Sequence, residues 1–154
     1  MNDKFLKPYK PKETESKIYE LWEKSGYFNP DNLPERHREP FSIVMPPPNA
    51  NGDLHAGHSL VMAIEDTLVR YKRMRGYKAL WIPGADHAGF ETQVVYEKKL
   101  EKEGRSRFGM NPQKLYEEIL QFTLDNNANM ESQVRALGAS CDWSREKFTL
   151  DKDV

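Results

Sequence analysis

The residues of this sequence with the clearest chemical potential are two histidines, His55 and His58, which stand three positions apart. They end the stretch 46–58, which reads PPPNANGDLHAGH. The apolar, β-branched run at residues 41–45 predicts a buried strand before it. Small and apolar residues recur after it at spacings of three and four, which predicts an amphipathic helix. These residues are Leu60, Ala63, Ile64, Thr67, Leu68 and Tyr71. The histidines therefore stand at a strand-to-helix turn, in which Gly52 would allow a tight bend.

A turn of this kind suits a phosphate group. The first N–H groups of a helix have no partner within the helix, and its N-terminus carries a partial positive charge. Two imidazoles would add hydrogen-bond donors. The sequence leaves their protonation state open, because the helix dipole disfavours imidazolium while a bound polyphosphate favours it. Gly57 has no Cβ, so a flat base can approach the backbone there. The stretch predicts a nucleotide site, with histidines that stabilise charge on a reacting phosphate. Two histidines at this spacing also suit a metal pair or simple helix caps.

A second candidate turn follows a second apolar run at residues 79–83, which predicts another buried strand. Strand, helix and strand in this order form a right-handed βαβ unit, the opening half of a doubly wound sheet. Ligands of such sheets bind outside the carboxyl ends of the strands. Both turns, 46–58 and 84–89, follow predicted strands at their carboxyl ends. The two turns are therefore expected to form one site.

Asp86 is the candidate ligand-binding residue of the second turn. Its carboxylate suits a substrate ammonium through a charge-assisted hydrogen bond. It equally suits a cap of the helix that begins near Phe90 or Glu91. The neighbouring His87 has no assignment from the sequence.

The remaining chain predicts helices at residues 12–25 and from about 90 to 103, and a loop at residues 27–40. Asn111 and Pro112 predict the cap and first residue of a long helix that closes at Gly138. An asparagine-rich patch at residues 126–129 interrupts its apolar side. Residues 139–154 are predicted to be irregular or extended. A basic cluster around residues 70–75 is interpreted as a complement to the helix dipole and a solvated face, with an RNA contact as the alternative.

Composition limits the possible classes of protein. A chain of 154 residues suits one domain with a core. Its net charge of -1, from 23 basic and 24 acidic residues, provides no overall field toward nucleic acid or membranes, although a local patch would suffice. The single cysteine, Cys141, predicts a small buried residue in a reducing compartment. With no predicted signal peptide or membrane span, a soluble, cytoplasmic protein is expected.

Three motifs in this order resemble the valyl branch of the class I aminoacyl-tRNA synthetases. Stretch 46–58 is similar to the HIGH motif of that class. GADHAGFETQ at residues 84–93 resembles the GTDHAG-I-ATQ turn of the valyl branch, and LGASCDWSREKFTLD at residues 137–151 resembles its LG-S-DWSRE-FT-D segment. KIYELWEKSGYF and RYKRMRGYKALWIPG are also similar to that family, so the resemblance covers nearly the whole chain.

The resemblance implies a fold and an activity. The fold is α/β: an N-terminal helical and loop extension at residues 1–40 precedes the first half of a Rossmann-like (HUP-type) catalytic domain at residues 41–154. This half has parallel strands with flanking helices. The activity is activation of valine with ATP and Mg²⁺ to valyl-AMP, followed by transfer to valine tRNA.

Site residues follow from the same resemblance. His55 and His58 would be catalytic and hold the phosphates, Gly57 would pack on adenine, and Asp86 would bind the amino group of valine. The ATP site is expected to comprise Asn51, Gly52, His55, Gly57 and His58. The valine site is expected to comprise Pro47, Asn49 and Asp86. No protein-bound metal is expected.

Departures from the family pattern leave alternatives open. Ala56 stands where many family members have a larger apolar residue, and Glu91 replaces a small residue. Residues 110–129 lack the aromatic pattern that the family is expected to have there. Nothing like the KMSKS loop, the editing insertion or the anticodon-binding helices occurs, so a fragment or truncated form is expected. One alternative is a truncated, non-catalytic relative that acts as a binding module. The other is a small nucleotidyltransferase, which also uses a His-x-Gly-His turn but whose fold calls for neither GADHAG nor DWSRE.

Overall fold

A parallel pair of strands joined by a helix forms the centre of the chain. The computed structural model describes residues 8–154. In it, β1 (Glu39–Val44) and β2 (Tyr77–Ile82) run parallel, with Glu39 opposite Tyr77 and Val44 opposite Ile82. The connecting helix α2 (Ala56–Met74) begins directly after the proline-rich turn. The α/β class and the strand-helix-strand unit are confirmed, although both strands lie one to two residues earlier than predicted.

Three further helices accompany this unit. They are α1 (Pro11–Ser25), α3 (Gly89–Lys102) and α4 (Pro112–Ala136). The predicted cap of α4 is confirmed, because the Asn111 side chain accepts hydrogen bonds from the N–H groups of Gln113 and Lys114. The helix continues without interruption through the asparagine-rich patch. Within residues 8–154, none of the helices has the length and apolar run that a membrane span requires.

The segment after α4 returns to the second candidate turn. It forms a short 3₁₀ turn at Trp143–Arg145 and then β4 (Lys147–Phe148). This strand pairs in parallel with β3 (Gly84–Ala85), which directly follows β2. The prediction of irregular or extended chain did not include this pairing, because its partner lies far away in the sequence.

The main core lies between α2, the strand pair and the segment after α4. Val69, Trp81 and Cys141 are fully buried in it. The Trp81 indole N–H is satisfied by the Glu65 carboxylate at 3.0 Å. Cys141 has the predicted role of a small buried residue, and burial raises the pKa of its thiol. The core therefore fixes α2, and with it the histidine turn, against the sheet.

The apolar stripe that predicts α2 faces away from this core. Leu60, Ile64, Leu68 and Tyr71 are 62%, 55%, 47% and 49% exposed. The opposite face, with Met62 and Val69, packs against the strands. The periodicity thus predicted the helix correctly, but the sheet is contacted by the face of α2 that has the less continuous run of apolar residues.

The N-terminal extension is attached to the segment after α4. The Tyr19 hydroxyl donates to the carbonyl of Ala139 at 2.9 Å and accepts from the Trp143 indole at 2.8 Å. Arg145 donates to the Asp31 carboxylate at 2.6 Å. The division into domains at residue 40 stays a prediction, and the part of the extension at residues 1–7 lies outside the described residues.

Candidate active site

The two histidines cap α2 and each other. His55 is the N-cap residue, and its Nδ1 accepts from the backbone N–H groups of Gly57 and His58 at 3.1 and 3.4 Å. The Nδ1 of His58 accepts in return from the backbone N–H of His55 at 3.3 Å. The two rings stack with centroids 3.8 Å apart and an interplanar angle of 18°. The capping role considered from the sequence is therefore real, and it determines which atoms remain for a ligand.

This reciprocal cap fixes the tautomer of both neutral rings. Because each Nδ1 accepts a hydrogen bond, the hydrogen of each imidazole is on Nε2. Burial, and then the neighbouring His55, lower the pKa of His58, which favours its neutral form. The sequence pattern predicts unpaired amides at this helix start. That expectation is wrong for Gly57 and His58, because the His55 ring takes their N–H groups, and the available donors are instead the Nε2–H groups.

Gly57 has a steric function in this arrangement. A Cβ built on Gly57 would lie 2.9 Å from Cε1 and 3.0 Å from Nδ1 of His55. The His55 ring can fold back over the first turn of α2 only because that Cβ is missing. Gly52 differs, because a Cβ there meets nothing within 4 Å and the residue does not have a positive φ. The tight bend therefore does not require glycine at position 52.

Helix α4 braces the turn just before His55. Gln133 accepts from the backbone N–H of Leu54 at 2.8 Å and donates to the Asp53 carboxylate at 2.8 Å. Asn129 donates to the same carboxylate oxygen at 2.7 Å. This brace was not predicted from the sequence. Its only signal was the asparagine-rich patch, whose polar residues interrupt the apolar side of α4.

The two predicted turns meet through backbone hydrogen bonds. The N–H of Ala50 donates to the carbonyl of Asp86 at 2.7 Å, and the N–H of Asp86 donates to the carbonyl of Pro48 at 2.9 Å. Asn49 and Asp86 form a parallel bridge. A Cβ on Gly84 would lie 3.8 Å from the Cβ of Pro47. The structure therefore brings Pro47, Asn49 and Asp86 to one place beyond the carboxyl ends of β1 and β2.

The Asp86 carboxylate is held from two directions. Its Oδ1 accepts from the N–H of Ala88 at 2.9 Å and from the hydroxyl of Thr149 at 3.1 Å. The N-cap position of α3 is occupied by Ala88, which has a φ of 53°, so Asp86 is not the helix cap that the sequence allowed. The side chain is 40% exposed. His87, which the sequence left unassigned, lies against Thr149, with its Nδ1 2.6 Å from the hydroxyl oxygen.

A pair of carboxyl groups, those of Glu131 and Glu146, lies close to β3. Burial, and then the nearby Glu131 carboxylate, raise the pKa of Glu146 to about 7. Asn127 donates to Glu131 at 3.2 Å, while its buried Oδ1 has no hydrogen-bond partner within residues 8–154. Glu146 directly precedes β4 in the sequence.

The basic cluster at the end of α2 has a structural role. Arg70 pairs with Asp66 at 2.6 Å and donates to the carbonyl of Gly138. Arg73 donates to the hydroxyl and carbonyl of Ser140, and burial lowers its pKa. The interpretation as a solvated face is therefore wrong for these two residues, because they anchor the segment after α4.

No group of three or more His, Cys, Asp or Glu side chains within residues 8–154 is arranged to hold a metal ion. Asp53 accepts from α4, and Asp86 accepts from Ala88 and Thr149.

Comparison with known proteins identifies the same family along most of the chain. Residues 17–154 match the family described as tRNA synthetases class I (I, L, M and V). The chain is 47% identical to the valine–tRNA ligase of Carboxydothermus hydrogenoformans over 94% of this chain and 16% of that protein. It is 43% identical to the Bdellovibrio bacteriovorus ligase over 100% of this chain and 17% of that protein. It is 46% identical to the Thermus thermophilus ligase over 95% of this chain and 17% of that protein.

Among solved structures, the crystal structure of the ternary complex of Agrobacterium radiobacter K84 agnB2 LeuRS-tRNA-LeuAMS matches the fold. Its TM-score is 0.72 at 25% identity, over 94% of this chain and 16% of that chain. The chain thus spans about one sixth of the length of the relatives that it matches.

Proposed function

The chain belongs to the class I tRNA synthetase family that comprises the I, L, M and V enzymes, and on this premise we propose that it forms the ATP- and valine-binding part of a valine–tRNA ligase. The reaction joins the valine carboxylate to the α-phosphate of ATP, which gives valyl-AMP and releases pyrophosphate. The valyl group then passes to the terminal adenosine of valine tRNA. Because the chain corresponds to about one sixth of its relatives, this complete reaction is assigned to the whole ligase.

One observation carries the proposal: the mutually capped pair of His55 and His58 presents Nε2–H donors at the start of α2. Negative charge grows on the phosphates as the α-phosphate is attacked. Donors that are already fixed in place stabilise such charge without reorganising at the moment of reaction. The stacked rings, the cap and the α4 brace all restrict movement of this pair. Mg²⁺ would enter with the ATP phosphates and share their charge.

The amino acid is proposed to bind where the two turns meet. Oδ1 of Asp86 is occupied by Ala88 and Thr149, so Oδ2 is the oxygen that remains to receive an ammonium group. Pro47 and Asn49 lie beside it. A proline wall selects by shape and offers no donor, so it suits a small branched apolar side chain.

Two other functions were considered from the sequence. A small nucleotidyltransferase is disfavoured because the family match covers residues 17–154, including the GADHAG and DWSRE segments. A non-catalytic binding module would retain the fold without needing donors at a phosphate. The ordered Nε2–H pair favours the enzyme.

ATP–pyrophosphate exchange in the complete ligase tests the proposal. We expect exchange with valine, and weaker exchange with leucine or methionine. Pockets of this kind distinguish substrates that differ by one methylene by about 1–3 kcal/mol, or about 10–200-fold in kcat/KM. Equal exchange with leucine or methionine would contradict the valine assignment, and no exchange with any amino acid would support the binding module.

A further inference from the structure

Thr149 has an unusual number of contacts for an exposed residue. It follows β4, and its N–H donates to the carbonyl of Ala85 at 3.2 Å. Its hydroxyl oxygen lies 2.8 Å from the backbone nitrogen of His87, 2.6 Å from Nδ1 of His87 and 3.1 Å from Oδ1 of Asp86. One hydroxyl thus joins the C-terminal segment to two consecutive residues of the second turn.

The direction of these hydrogen bonds follows from the donors available. A hydroxyl has one hydrogen, and an ionised carboxylate can only accept. The hydroxyl hydrogen therefore goes to Oδ1 of Asp86, and the hydroxyl oxygen accepts from the backbone N–H of His87. Nδ1 of His87 then carries its own hydrogen and donates to the same oxygen. This tautomer is the opposite of the one at His55 and His58.

Asp86 gains a fixed orientation from this arrangement. Two donors, Ala88 N–H and the Thr149 hydroxyl, hold Oδ1 on one side. The carboxylate plane is thereby set, and Oδ2 takes a fixed direction. We propose that Thr149 is a positioning residue, which orients the Asp86 carboxylate toward the ammonium group of the amino-acid substrate. This inference rests on the proposed function, because it assigns Asp86 to that ammonium.

The place of Thr149 in the fold does not depend on its hydroxyl. The buried Phe148 side chain anchors β4, and the N–H of Phe148 donates to the Asp151 carboxylate at 2.9 Å. The backbone bond from Thr149 to Ala85 is independent of the side chain. Replacing the hydroxyl by a methyl group should therefore leave the segment in place, while it removes the donor to Asp86 and the acceptor for the two His87 groups.

The test uses the complete ligase with Thr149→Val and Thr149→Ser, and measures KM for valine and for ATP by pyrophosphate exchange. Losing a hydrogen bond to a charged group corresponds to about a tenfold or larger effect. We expect Thr149→Val to raise KM for valine about tenfold and KM for ATP less than twofold, and Thr149→Ser to restore the parental values. Thr67→Val is the matched control, because among the described residues 8–154 that exposed hydroxyl bonds only to Ala63 within its own helix. It should change neither constant.

A double-mutant cycle shows whether Thr149 acts through Asp86. With Asp86→Asn already present, Thr149→Val should have little further effect on KM for valine, because the carboxylate it orients is gone. Equal rises in both KM values, failure of serine to rescue, or additive effects with Asp86→Asn would overturn the inference. If the parental ligase instead shows no exchange with valine, the proposed function fails. If the parental ligase shows exchange with valine and Thr149→Val has the parental KM values, only the positioning role of Thr149 is refuted.

Discussion

Substituting Gly57 by alanine should separate the catalytic role of the histidine turn from its stability. The new Cβ would lie 2.9 and 3.0 Å from two atoms of the His55 ring, closer than side chains tolerate, so the ring must move. Its Nδ1 then loses the N–H groups of Gly57 and His58. Nε2 moves with the ring and leaves the position at which it would meet a phosphate.

The two consequences differ in size. Losing an N-cap costs about 0.5–2 kcal/mol, while alanine in place of glycine inside a helix contributes about 0.5–1 kcal/mol. The net loss is at most about 1.5 kcal/mol, which corresponds to roughly 3–6 °C in Tm for a chain of this size. Misplacing one fixed donor costs about 10²–10³-fold in rate. Gly57→Ala should therefore leave the fold nearly intact and lower single-turnover adenylate formation at least about 100-fold.

Thermal melts of the isolated chain measure the stability, and single-turnover adenylate formation in the complete ligase measures the rate. Gly109→Ala is the control, because a Cβ there meets nothing within 4 Å and both values should stay parental. In a His55→Ala background, Gly57→Ala should add little, since the ring it would displace is absent. A Gly57→Ala variant that forms adenylate at the parental rate would refute the reasoning. A large additional rise in KM for ATP in the double variant would show that contact with adenine is the main role of Gly57.

Three further outcomes are expected. His58→Ala in the complete ligase should lower kcat for adenylate formation about 10²–10³-fold with a smaller change in KM, whereas a mere cap would lose about 0.5–2 kcal/mol of stability at the parental rate. Denaturant melts of the isolated chain at several pH values should show stability falling as pH rises from about 4.5 to about 7, because the folded state keeps the Glu146 proton that the unfolded state has lost. After allowance for partial exposure, the free energy of unfolding should fall by on the order of 1 kcal/mol. Glu146→Gln should remove this pH dependence. A variant with the parental pH dependence would contradict the raised pKa of Glu146. Sedimentation should show concentration-dependent self-association of the isolated chain through the outward face of α2, and Ile64→Lys should weaken it; a monomer at all concentrations would contradict this.

Sequence patterns predicted the features that depend on neighbouring residues. Capping chemistry and helical periodicity are local, so the starts of α2 and α4 follow from residues within a few positions of each. Two short apolar runs with a helix between them leave few topologies, which is why the parallel pair of β1 and β2 could be predicted. The motif resemblance identified the family for the same reason, since each motif is a continuous stretch.

Features that join distant parts of the chain required the tertiary structure. Gln133 reaches the backbone of Leu54, and Thr149 reaches Asp86, across separations of 79 and 63 residues. The outward face of α2 likewise depends on which other elements pack against the helix, which periodicity does not record. The sequence therefore determined the four long helices, the parallel pair of β1 and β2, the family and the histidine turn. Only the tertiary structure determined the hydrogen of His87, the direction of the Asp86 carboxylate and the brace behind His55, because these depend on atoms that folding alone brings within hydrogen-bond distance.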